Sequence, residues 1–118
     1  PPTNRMTGDP SRAVVVVLRT ASDPGRASAI ATCLVEEGRI ACAKVLPGAT
    51  SIFRWDGAVR EESETLLLSK TTQGNVDRVL ERMSELHSYD VPEILTLPAV
   101  AGSERYLTWV ADEVTPSE

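Results

Sequence analysis

A chain of 118 residues with 42% hydrophobic and 25% charged side chains is long enough for one domain with a real core and too short for two. Twelve Lys and Arg against 17 Asp and Glu leave a net charge of -5, which argues against a nucleic-acid partner held by a basic surface; cations would be the favoured ligands, though a mildly negative surface more often serves solubility. No run approaches the roughly 18 apolar residues of a membrane span, no signal-peptide pattern is present, and two cysteines without CxxC spacing suit reduced thiols, so a cytoplasmic protein without membrane contact is expected.

The opening segment, Pro1 to Ser11, mixes Pro, Gly, Asp, Asn and Ser without periodicity and is expected to be a disordered or loosely attached arm. Met6 is a candidate native start, which would make Pro1 to Arg5 an expression remnant. Residues 12–118 then form a single domain. "AVVVVL", Ala13 to Leu18, is an unbroken β-branched run suited to a strand buried on both faces. Next comes a helix, with Ser22 or Asp23 as cap, Pro24 in its first turn, and Ala27, Ile30, Ala31, Leu34 and Val35 on its apolar face before Gly38. Cys33 falls off that stripe, so it is expected near the surface as the thiol more open to oxidation or stray metal.

From Arg39 to Thr71 two extended runs meet at Asp56-Gly57, a strong hairpin signal. At about 3.3 Å per residue a 14-residue arm reaches roughly 45 Å, more than a small domain needs. Pro47-Gly48 marks a bulge in the first arm, and the overhang should begin there. A hairpin that outruns its subunit exposes edges that must be paired, so the tip around Phe53, Trp55 and Asp56 is expected to pack on other copies of the chain in a closed oligomer.

A second helix follows, with Asn75 as cap and Val76, Val79, Leu80, Met83 and Leu86 inward; His87 joins that face at its end. "EILTLPAV" reads as a short strand, at the sheet edge because of Pro98. A last helix is capped by Ser103 and carries Tyr106, Leu107 and Val110 inward. The order β-α-β-β-α-β-α is an α+β fold, a ferredoxin-like βαββαβ sandwich with a long central hairpin and an added C-terminal helix.

Several linked stretches, "EEGRIACAKVLPGATSIFRWDGAVREESETLLLSKT", "ELHSYDVPEILTLP" and "YLTW", resemble the CutA family of divalent-cation tolerance proteins, from about Val14 to Val110. The resemblance implies a tight homotrimer similar to PII-type signalling proteins, a link to metal tolerance with copper binding in some members, and no family-wide enzymatic reaction. The chain also departs from the family. His87-Ser88-Tyr89-Asp90-Val91-Pro92-Glu93 stands where the usual pattern is His-Pro-Tyr-Glu-Val-Pro-Glu, and Lys44 replaces an Asn. Copper-linked members can carry a cysteine and a second histidine where this chain has Arg19 and Leu86.

His87, Asp90 and Glu93 are the candidate metal ligands, for copper or another divalent cation bound weakly, since one imidazole with scattered carboxylates supplies few strong donors. The alternatives are that His87 is a packed helix-end residue, and that Asp90 or Glu93 orients it or closes the turn. Cys42, between alanines, reads as inert packing more readily than as a ligand. Lys70 ends the second hairpin arm, and counting across the turn sets it within about a residue of Lys44; two ammonium groups there would repel a metal and attract an anion. Pairing of each lysine with a carboxylate such as Glu64 is the structural alternative. No phosphate loop, HExxH or GxSxG motif occurs, and a Ser88, His87 and Asp90 triad would lack both spacing and an oxyanion hole. Neither an enzyme nor an organic cofactor is expected.

Overall fold

The structure is a computed structural model that describes residues 8–86 and 93–115. Its strands are β1 (Val14–Ala21), β2 (Cys42–Trp55), β3 (Ala58–Thr72) and β4 (Ile94–Pro98), and its helices are α1 (Pro24–Glu36), α2 (Val76–Leu86) and α3 (Glu104–Glu113). The sheet order is β2-β3-β1-β4, all antiparallel. β1 runs three residues beyond the expected Leu18, because its pairing with β3 continues to Ala21 opposite Thr65. β4 lies at one edge of the sheet, as Pro98 requires, and β2 at the other.

Pro24 begins α1 and Asp23 caps it, its carboxylate accepting the Arg26 N–H at 2.8 Å. Ala27, Ile30, Ala31 and Leu34 turn inward. Val35 does not: it is 44% exposed, since a position next to Leu34 on a helix points about 100° away from it. Leu34 meets Val17, Leu67, Val79 and Met83 in the main core, between the sheet and the pair α1 and α2. Asn75 lies in a 3-10 turn before α2 rather than serving as a simple cap; its side-chain amide donates to Thr72 Oγ1 and its oxygen accepts from Arg78.

The third helix covers only one end of the opposite sheet face. There Leu107, Val110 and Val114 enclose Val14 and Ala41. Tyr106, expected inward, is 40% exposed, for it lies at the rim of this second cluster. The N-terminal arm is more ordered than its composition suggests over the part described. Asp9 caps a 3-10 turn at Pro10–Arg12, and Arg12 pairs with Asp112 of α3 at 2.8 Å; residues 1–7 lie outside the described residues.

At the hairpin turn Asp56 and Gly57 both take positive φ, 51° and 78°, the pair of values a type I′ turn demands. Gly48, also at positive φ, sits in the bulge where the register shifts between Leu46 and Ala49. Beyond the bulge β3 is exposed from Ala58 to Ser63, whereas from Thr65 onward it alternates between buried and half-buried. The radius of gyration, 15.1 Å, exceeds the roughly 13.5 Å of a compact chain this long. The projecting hairpin accounts for the excess.

Candidate functional site

Three places concentrate chemistry on this fold: the junction between α2 and β4, the sheet face left open by α3, and the outer surface of α1 and α2. At the junction, His87 and Asp90 lie outside the described residues. Glu93 is exposed, and its carbonyl accepts the Thr20 N–H at 3.2 Å, which anchors the start of β4. Beneath this point lies Arg19, wholly buried on the helix-facing side of β1 and opposite Ile94 across the ladder. Its guanidinium Nη1 donates to the Met83 carbonyl at 3.0 Å. Met83 is in the last turn of α2, where carbonyls lack helical partners and the helix dipole is negative. A buried cation therefore holds the end of α2, and the Thr20 N–H holds the start of β4, with Arg19 at a position where the family resemblance raised a soft metal ligand.

Among the described residues no group of three or more His, Cys, Asp or Glu converges as a metal site. A groove lined by Arg26, Ala29, Ile30 and Leu86 adjoins the end of α2. Among the described residues its one charged side chain is the cation Arg26.

On the open face, alternation in the ladder puts Val16 and Leu18 of β1 beside Leu66 and Leu68 of β3, flanked by Leu46 of β2 and by Leu95 and Leu97 of β4. Leu46, Leu95 and Leu97 are each between 42% and 54% exposed. Toward the hairpin tip the same face carries half-buried Phe53 and 57%-exposed Trp55 beside Glu62 and Arg60 of β3, whereas alternation puts Ile52 and Val59, each 68% exposed, on the opposite face. An apolar strip of this kind, left half-exposed by the chain's own helices, is unusual for a chain that stands alone in water.

Lys70 and Lys44 share this face. Lys70 lies opposite Cys42, and Lys44 lies opposite Leu68, so the lysines are diagonal neighbours two positions apart rather than adjacent. The bulge is the reason: one extra residue in β2 changes the register, and without it Lys44 would fall on the helix side of the sheet. Glu64 pairs across the ladder with Ala49 beyond the bulge. Among the described residues neither lysine has an ion pair.

Cys42 Sγ lies 3.2 Å from Tyr106 Oη, within hydrogen-bonding distance. Burial, helped by the bond to Cys42, pushes the Tyr106 phenol up to about 12, so it stays neutral and protonated at physiological pH. Its ring stacks on Trp109 at 5.9 Å with an interplanar angle of 28°. This aromatic pair was not legible as part of a site, because only α3's placement brings it to the end of β2.

A third cluster lies on the outer surface of α1 and α2. Glu37 accepts from Arg82 at 2.7 Å and from Arg39 at 2.8 Å, and the Cys33 thiol donates to it at 3.2 Å. Arg82 first, then Cys33 and Arg39, hold the Glu37 carboxyl down to about 2. The same carboxylate raises the Cys33 thiol by accepting its S–H hydrogen bond, which favours the protonated form. Exposure alone suggested a reactive Cys33; the contact with Glu37 stabilises the protonated thiol, the less reactive form. The i,i+4 spacing of Cys33 and Glu37 was the available signal for the contact.

Comparison with known proteins agrees with this architecture. The family model described as CutA1 divalent ion tolerance protein matches residues 15–113. The chain is 46% identical over 97 residues to the divalent-cation tolerance protein CutA of Thermus thermophilus, covering 82% of this chain and 94% of that one. A crystal structure of CutA1 from Oryza sativa superposes with a TM-score of 0.84 at 32% identity, covering 88% of this chain and 95% of the other. The solved divalent cation tolerance protein of Thermus thermophilus gives 0.82 at 44% identity, over 86% and 99% of the two chains.

Proposed function

The chain belongs to the CutA family of divalent-cation tolerance proteins, and on that premise we propose that it works as a homotrimer in the cytoplasmic response to metal ions, in a binding rather than a catalytic role. The observation that carries the assembly is the apolar strip of the open sheet face continuing into a hairpin with exposed Trp55. Closed assembly would cover both together, with Phe53, Trp55 and Asp56 packing at the subunit boundary. No helix among the described residues is long and apolar enough to cross a membrane.

Divalent cations, copper among them, would be held weakly, through His87 with Asp90 and Glu93. The exposed Glu93 carboxylate supports this reading, and one imidazole with scattered carboxylates supplies few strong donors, so the binding would be weak. Isothermal titration of the wild type and His87→Ala with copper and with zinc tests it. A drop in affinity on substitution is expected; equal binding by the two proteins removes His87 from the account. Light scattering on the eluted protein tests the assembly, with three chain masses expected and one refuting it.

A second reading is favoured by one specific observation, the absence of any ion pair at Lys44 and Lys70 among the described residues. Two ammonium groups on one half-covered face attract an anion, and the same trimer would then serve as a PII-like scaffold that takes a small anionic ligand between subunits. Stabilisation by an anion bound there should reach about 2.7 kcal/mol at a hundredfold excess over Kd.

A further inference from the structure

Resting on the anion reading of Lys44 and Lys70, we propose that the ligand of this face carries a planar aromatic ring as well as its negative charge, the anion held by Lys70 and the ring packed on the Tyr106–Trp109 pair. Lys70 lies directly across the ladder from Cys42, and Cys42 touches the Tyr106 hydroxyl at 3.2 Å. The aromatic pair thus stands one cross-strand residue away from the ammonium group, within the length of a small molecule.

Both rings are only partly used by the fold. Leu107 and Val110 fill the core beneath α3, whereas Tyr106 is 40% and Trp109 43% exposed. Two large rings stacked on each other at 5.9 Å and left half-exposed by their own chain form an apolar platform for the subunit cleft, which a third ring extends with the offset geometry aromatic groups prefer. The platform adds no negative charge, because the Tyr106 phenol remains protonated. Lys44, on the same face and two positions along, keeps the local potential positive. A purely apolar ligand would leave both ammonium groups without a counter-charge, and a bare inorganic anion would leave the platform in water. An aromatic phosphate or carboxylate satisfies both.

The test is calorimetric titration of the full chain with phenyl phosphate, inorganic phosphate and phenol. Phenyl phosphate is expected to bind roughly tenfold tighter than inorganic phosphate, the scale of one aromatic contact, and phenol not measurably. Lys70→Met should abolish binding of both phosphates. Trp109→Leu should bring phenyl phosphate down to the affinity of inorganic phosphate and leave the latter unchanged. Trp109→Phe, which keeps a ring and guards against misfolding of the leucine variant, should retain the preference. Equal affinity for the two phosphates in the wild type overturns the aromatic inference while the anion reading stands. Binding of neither overturns both.

Discussion

Adjacent leucines in β3 offer a direct reading of whether the open sheet face is covered. Leu67 points to the helices and is fully buried; Leu68 points to the opposite face and is half-buried. Removing a fully buried leucine loses its transfer energy and leaves a cavity, so Leu67→Ala should cost about 2–5 kcal/mol per chain whatever the assembly state. If the chain stood alone, Leu68→Ala would forfeit only about half of the transfer value of 1.5–3 kcal/mol, or about 1 kcal/mol. In a trimer that covers the strip, Leu68→Ala should instead approach the Leu67→Ala value. It should also lower the unfolding midpoint more strongly in dilute protein, because unfolding is then coupled to dissociation. Urea denaturation of the wild type and both variants over a hundredfold range of protein concentration measures all of this. A loss of about 1 kcal/mol or less for Leu68→Ala, with midpoints independent of concentration, would refute the assigned interface.

Three further outcomes follow from the local structure. The Glu37 carboxyl sits at about 2 in the folded chain against 4.5 unperturbed, so its contribution is complete above about pH 4.5 and is lost as pH falls toward 2; acid titration monitored by circular dichroism should show a steeper loss in the wild type than in Glu37→Gln. Gly38 has φ +72°, and a Cβ there would collide with the Thr115 hydroxyl; Gly38→Ala should destabilise by about 1–3 kcal/mol in thermal unfolding, and adding Thr115→Gly should relieve the clash but not the backbone strain. Asp23→Ala removes the carboxylate that caps α1 and should cost about 1 kcal/mol.

The amino-acid sequence by itself determined the order of the elements, the hairpin turn, the bulge and the inward stripe of α1 apart from Val35. Each depends on short-range rules: a β-branched run, Asp-Gly at positive φ, Pro-Gly in a strand, apolar residues every three or four positions. It also marked the family through His87 to Glu93, where pattern is legible without coordinates.

Only the tertiary structure decided what shares a face. Arg19 could be read as a missing ligand, but its burial against the Met83 carbonyl depends on how far β1 pairs and where α2 ends. The offset of Lys44 from Lys70 depends on a single extra residue in one strand, and the meeting of Tyr106 with Cys42 joins residues 64 positions apart. Register and helix docking are set by the sum of many weak contacts across the chain. No local window of sequence contains that sum, so the chemistry of the open face emerged only when the strands were paired and α3 was laid across one end.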